Sequence, residues 1–256
     1  MSFDACAASV EKGDPERFRA AMASPVAARR VLFPLYAFNM QVARAPWVTE
    51  EPMIAEMRLQ WWRDALEEIA EARAVRKHEV TTELAEVLDV PGAQALDRLV
   101  AARRWDVYKD TFEDAAHFRE YLEATSGELM WQGARALGAP ESARETVIAI
   151  GHGTGLARFL AAAPTLEDKG RKPLVDGRPE AIAQLAQEAL TRLREAGRWA
   201  GLSGLPRAAL LESWEAAPLL QQIARQPDRV AQNSVGISPF RSRLRLARRA
   251  ARLARA

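Results

Sequence analysis

One cysteine and three histidines in 256 residues leave little room for metal or redox chemistry. Cys6 has no partner for an internal disulfide, and a lone thiol excludes a cysteine-rich metal knot. His78, His117 and His152 stand far apart and form no short-spaced ligand pair, which argues against a histidine metal site. No run approaches the roughly 18 apolar residues that mark a membrane-spanning helix. The first fifteen residues carry Asp4, Glu11 and Asp14 and no signal-peptide core, which predicts a cytoplasmic protein. Alternating β-branched runs are missing, and so is the Gly-x-Ser-x-Gly elbow of serine hydrolases. Gly151-x-Gly153-x-Gly155 has no strand before it, so it reads as close helix packing through small residues rather than a dinucleotide loop.

What is present favours helix. Alanine, leucine, glutamate and arginine dominate, and most prolines and glycines fall between periodic segments. With 48% hydrophobic and 27% charged residues there is material for a sizeable core, and disorder is excluded as the main state. Asp14-Pro15-Glu16 reads as a helix start with Asp14 as cap. A second helix spans about 26–45, with Pro34 as a kink. Thr49 is placed to cap the next one. That helix shows Met53, Met57, Trp61, Ala65 and Ile69 stepping by four, widened by Ile54, Trp62 and Leu66, and is predicted to bury that stripe. Further helices are predicted near 79–88, 92–109, 113–137, 141–163, 178–199 and 206–225, with 164–179 as the longest loop. The reading is an all-α body over 1–238 and a separate terminal helix over 239–256.

Charge is unevenly spread. The net value is +2, but residues 241–256 hold seven arginines and no acid, so the other 240 residues sum to −5. Arg241, Arg245, Arg248, Arg252 and Arg255 share one helical face, and Phe240, Leu244, Ala247, Ala251 and Ala254 a neighbouring one. A basic amphipathic helix of this kind suits an anionic membrane surface or an acidic protein partner; packing of one face on the body is the plainer alternative. An acidic body with a basic tail is not the uniform positive field of a nucleic-acid binder, and no nucleic acid is expected.

Three passages together resemble the squalene/phytoene synthase family: Leu35-Tyr36-Ala37-Phe38; Arg58-Leu59-Gln60-Trp61-Trp62-Arg63-Asp64-Ala65-Leu66; and Asp106 followed by Tyr121 to Gly127 and Leu137-Gly138. Their order and spacing agree over about residues 15–165. The resemblance implies a terpenoid-synthase-like helical bundle around a central cavity. In catalytic members two aspartate-rich motifs face each other there and hold Mg²⁺ on the leaving diphosphate, chemistry that needs carboxylate oxygens. Here the first motif's positions fall on Ala43, Arg44 and Trp47, and the second's on Ala162 and Leu166.

The resemblance therefore implies a non-catalytic, lipid- or protein-binding relative. It lies closest to the branch of the mitochondrial complex I assembly factor with a phytoene-synthase-like domain, with a peripheral place at an inner membrane. The run through Asn39 and the Glu51-Pro52-Met53 turn resemble that branch. Tyr36, Phe38, Asn39, Arg44, Trp61, Trp62 and Arg158 are the candidate cavity or ligand residues, an isoprenoid or other lipid the candidate ligand, and no metal or cofactor is expected. Core packing of the aromatics is the competing reading. The alternative is an active head-to-head prenyltransferase with a divergent Mg²⁺ site, in which Arg44, Arg158 and the carboxylates of Asp106, Asp110 and Asp114 replace the missing ligands. Those three acids are equally explained by an ion pair at Asp106 and a cap at Asp114.

Overall fold

The computed structural model describes residues 2–197 and 199–253; Arg255 and Ala254 of the basic tail lie outside them. Among the described residues there are helices and no strand. The helices are α1 (Ser2–Gly13), α2 (Pro15–Met22), α3 (Val26–Arg44), α4 (Pro52–Ala70), α5 (Glu79–Ala85), α6 (Val90–Ala102), α7 (Trp105–Tyr108), α8 (Ala115–Leu122), α9 (Glu128–Ala136), α10 (Arg144–Asp168), α11 (Pro179–Ala196), α12 (Ala216–Arg225), α13 (Asp228–Ala231) and α14 (Pro239–Leu253). A 3₁₀ segment, Leu205–Ser213, joins the last helices to the core.

Local chemistry sets several boundaries. Asp14 accepts a hydrogen bond from the Arg17 N–H at 3.0 Å and caps α2, with Pro15 in the first turn. α3 continues through Pro34 to Arg44. Thr49 does not cap α4: Glu51 holds that position, and Thr49 Oγ1 accepts from the Glu51 N–H at 3.1 Å. α10 also runs past Pro164 to Asp168, so the long loop is shorter than predicted.

The buried face of α4 differs from the predicted stripe. Met53 and Met57 are 75% and 67% exposed, whereas Ala55, Leu59, Trp62, Leu66 and Ile69 are buried. A row stepping strictly by four drifts around a helix of 3.6 residues per turn, and the row alternating four and three stays on one side. That row packs against α6, leaving Ile54 and Met57 beside the C-terminal end of α3.

Two apolar clusters fill the interior. One joins α1, α3, α4, α5, α6, α9 and the 3₁₀ segment around Phe33, Phe38, Trp62 and Trp131. The other joins α8, the second half of α10, α11 and α12. The stretch Glu141–Asp168 around α10 is long and apolar enough to cross a membrane by length and composition, but 61% of its most apolar window is buried inside the protein. It packs between α9, α11, α12 and the π-turn Glu123–Gly127 that links α8 to α9. The glycines of α10 make that approach: a Cβ on Gly151 would lie 2.6 Å from the Gly127 Cα, and one on Gly155 2.6 Å from the Ser126 Cβ. The close-packing reading of the three glycines thus holds. Cys6 is buried, its thiol pushed up to about 12 by burial and by Glu83 and Glu79.

Two predictions follow from this packing around α10. Gly151→Ala is expected to cost about 1–3 kcal/mol in urea unfolding, because backbone rather than a flexible side chain must yield. His152, 7% exposed, has its pKa lowered to about 4 by burial, with Arg192 and Arg119 adding repulsion. The unfolded chain binds a proton near the ordinary histidine value and the folded chain does not. Stability is therefore expected to fall by about 2 kcal/mol between pH 7 and pH 5. His152→Gln is expected to flatten that part of the stability–pH curve.

Candidate functional site

The end of α3 carries Ala43 and Arg44, and a 3₁₀ turn, Ala45–Trp47, presents Trp47 at the surface, 37% exposed. The loop after α10 returns to the same place. Lys169 Nζ lies 4.4 Å from the Trp47 ring centroid and the Arg171 guanidinium carbon 4.6 Å. Arg171 is 5% exposed and also lies 5.6 Å from the Trp105 ring, which stacks on Phe112 at 4.0 Å. At the first motif's position the Trp47 indole thus meets two cations from the loop that follows the second motif's Ala162 and Leu166. The contact is a cation–π cluster, favourable by about 0.5–2 kcal/mol per pair. It has the wrong sign for a divalent metal, which needs several anionic oxygens. Among the described residues no group of three or more His, Cys, Asp or Glu side chains is placed to hold a metal ion. The residues present do not fit Mg²⁺.

Beside this cluster lies a cleft of about 600 Å³. Arg44 and Arg58 line it, with Trp61, Trp62, His78, Ile54, Met57 and Val48. The aromatic side is held edge-to-face: Trp61 and Trp62 centroids are 4.9 Å apart, His78 is 5.3 Å from Trp61, and Phe38 packs behind Trp62 at 5.4 Å. Arg76 fixes Trp61 from outside, its guanidinium carbon 5.1 Å from the ring, its Nη1 donating to the Trp61 carbonyl. The cleft thus combines an aromatic wall with two guanidinium groups, a shape suited to an amphiphile with an anionic head.

Of the residues singled out from sequence, the structure brings Arg44, Trp61 and Trp62 together here. It puts Tyr36, Phe38 and Asn39 elsewhere: they are 2%, 0% and 4% exposed in the packed interior and line none of the clefts described here. Arg158 is engaged by an internal acid. Glu212, 2% exposed, accepts from Arg158 Nη1 at 2.8 Å and from Arg17 Nε at 2.6 Å through the same Oε2. Arg17 also donates to Asp14 at 2.8 Å, and its guanidinium lies 5.5 Å from the Tyr36 ring. Burial opposes the charge of Arg17, but Glu212 and Asp14 outweigh it and raise its pKa. Burial and Glu212 likewise push the Tyr36 hydroxyl far above its ordinary value.

The acids at 106–114 do not converge. Asp106 pairs with Arg103 at 3.1 Å and accepts from the Tyr121 hydroxyl at 3.0 Å, while Asp114 caps α8 by accepting from the His117 N–H at 2.8 Å. Asp110 is exposed between them.

Sequence reasoning missed Glu212, Arg17 and the Lys169–Arg171 pair. A signal existed for the first: Glu212 interrupts the apolar run from Ala208 to Trp214, where an acid is buried only with a partner.

A family model described as "Squalene/phytoene synthase" matches residues 10–174. The Drosophila melanogaster "NADH dehydrogenase (ubiquinone) complex I, assembly factor 6 homolog" is 30% identical over 199 residues, covering 73% of this chain and 58% of that protein. The Mus musculus assembly factor 6 of the same complex is 24% identical over 172 residues, covering 62% of this chain and 48% of that one. The chain thus spans about half the length of these relatives. Among solved structures, a dehydrosqualene synthase in complex with ligand superposes with a TM-score of 0.79 at 14% identity, covering 100% of this chain and 97% of the other. A squalene synthase from Alicyclobacillus acidocaldarius superposes with a TM-score of 0.57 at 15% identity, covering 99% and 93%.

Removing the buried anion tests how the interior is held. Glu212→Gln leaves Arg17 charged and buried, and is expected to cost about 3–5 kcal/mol in denaturant unfolding. The double replacement Arg17→Met, Glu212→Met is expected to recover much of that loss, since neither charge is then stranded.

Proposed function

The chain belongs to the squalene/phytoene synthase family, and from that premise we propose that it is a non-catalytic member that binds an amphiphilic lipid and serves the assembly of a membrane-bound respiratory complex. One observation carries the reading: at the places of the family's acidic motifs this chain has Ala43, Arg44 and Trp47, and Ala162 and Leu166, and the groups against the Trp47 ring are the cations Lys169 and Arg171. Breaking the allylic carbon–oxygen bond of a prenyl diphosphate needs the leaving diphosphate neutralised as it departs. Arginines bind such a group in the ground state without supplying the bridging metal. The fold is therefore retained as a binder. Arg44 and Arg58 would take the anionic head, and the wall of Trp61 and Trp62 the chain. The role in complex assembly is supported by the names of the Drosophila and mouse relatives.

An active prenyltransferase is not favoured. Its stand-in groups have other partners: Arg158 holds Glu212, Asp106 holds Arg103, and Asp114 caps α8.

A peripheral place at an anionic membrane surface accompanies this reading. α14 docks on the body through Ser242, Leu246 and Leu253, all buried. Phe240 and Leu244, 75% and 37% exposed, form an open strip with Ala247 and Ala251, next to the arginine strip Arg241, Arg245, Arg248 and Arg252. An exposed apolar strip bordered by arginines lies well in a headgroup layer.

Incubation with farnesyl or geranylgeranyl diphosphate and Mg²⁺ is expected to release no pyrophosphate; turnover would overturn the reading. In the same assay without metal, farnesyl diphosphate is expected to raise the melting temperature, by about 2–4 °C per kcal/mol of binding free energy. Arg44→Glu with Trp61→Ala is expected to abolish that rise. No rise with the native chain removes the lipid-binding half of the proposal.

A further inference from the structure

α14 does more than present a basic face to solvent. Trp214 Nε1 donates to Ser242 Oγ at 3.2 Å, and Arg249 Nη1 donates to Ser213 Oγ at 3.1 Å. The Arg249 guanidinium lies 5.5 Å from the Trp199 ring. These contacts hold the helix a fixed distance from α11 and the start of α12, and leave a groove of about 670 Å³. Six arginines line it: Arg241, Arg245, Arg248, Arg249 and Arg252 from α14, and Arg194 from the last turn of α11. Among the described residues no carboxylate lines it. Its floor is apolar, with Leu193, Trp214 and Leu244.

So many like charges around one concavity repel one another and focus a positive field into it. Internal acids neutralise Arg17 and Arg103 inside the protein, Glu212 the first and Asp106 the second. Among the described residues that line the groove there is no acid, so an anionic ligand entering it meets guanidinium groups and no repelling carboxylate. Guanidinium forks match phosphate oxygens bidentately. The apolar floor continues through Leu244 to the exposed Phe240 one turn away, so the phosphate site opens onto a surface fit for an acyl chain. A small soluble anion would leave that strip in water, whereas one anionic lipid fills both the basic groove and the apolar strip.

We infer that the groove between α14 and the body is a phosphate site for the headgroup of an anionic phospholipid, with Arg194 and the α14 arginines as its ligands and the Phe240–Leu244 strip seated in the bilayer. The inference rests on the membrane reading above and narrows it from a diffuse basic surface to a built site that includes a residue of the body.

The test uses the full chain and flotation with phosphatidylcholine vesicles with and without phosphatidylglycerol. Arg194→Glu, off the tail, is compared with Arg243→Glu, which makes the same charge change on α14 at a position that does not line the groove. Both side chains are exposed, so both variants are expected to fold. A built site predicts that Arg194→Glu weakens binding to phosphatidylglycerol vesicles at least about tenfold, as for a lost charged hydrogen bond, and that Arg243→Glu weakens it much less. Equal losses overturn the groove and leave the membrane reading standing. If no vesicle is bound, the membrane reading fails. The groove is then read by Trp fluorescence with monomeric dihexanoyl phosphatidylglycerol, using Trp214→Phe to assign the signal and inorganic phosphate as comparator. A response to the lipid that inorganic phosphate does not reproduce supports the site. An equal response to both, or none, overturns it.

Discussion

One carboxylate oxygen ties the halves of the molecule together. Glu212 Oε2 accepts from Arg17 on α2 and from Arg158 on α10, and the acid itself sits in the 3₁₀ segment that follows α11. Three elements far apart in sequence therefore meet on a single buried charge. Desolvation makes such a site costly unless every charge is matched, and here the match is nearly complete: Asp14 takes the second face of Arg17, and Glu16 lies 3.7 Å from Arg158. Two guanidinium groups that would otherwise attract an anionic ligand into the bundle already have an anion built into the chain. This is why Arg158, a fair ligand candidate on its residue type, is part of the structure's internal support.

The same accounting of charge separates interior from periphery. Inside, Arg17 and Arg103 are matched by acids. After α10, Lys169 and Arg171 lie against the π faces of Trp47 and Trp105, a weaker partner that tolerates added negative charge nearby. Among the described residues lining the α14 groove there are arginines and no acid. The gradient runs from internal neutralisation toward surfaces that are open to anions, and both open places have an apolar wall beside them.

Much of this was legible in the chain. The helices, the Asp14 cap and the glycine approach of α10 are written in local spacing and residue size, which the backbone reads directly. So was the charge deficit at Ala43, Arg44 and Ala162, because a missing carboxylate is visible as a letter. Three things were not. The buried side of α4 was misplaced onto Met53 and Met57, because a four-residue step and a 3.6-residue turn diverge after a few turns and sequence alone does not say where the neighbour lies. Tyr36, Phe38 and Asn39 read as a cavity lining although they are packed; an aromatic pattern is the same in either case. Lys169 and Arg171 were overlooked because their partner, Trp47, is more than a hundred residues away, and no local rule pairs them.

The terminal helix shows how three faces share one short segment. Steps of four and three place Ser242, Leu246, Arg249 and Leu253 on one side, and that side docks. The next sector carries Arg241, Arg245, Arg248 and Arg252, and the one after it Phe240, Leu244, Ala247 and Ala251. The basic sector thus lies between the docked sector and the apolar one, which is the only order that lets the same arginines face the groove on one side and border an apolar strip on the other. Were the docked and basic sectors exchanged, the arginines would be buried without acids, at a cost of several kcal/mol each. Were the basic and apolar sectors exchanged, the groove would be lined by alanine and phenylalanine and would have no claim on phosphate. The order of the sectors, fixed by sequence, makes the groove a matter of geometry as well as of charge.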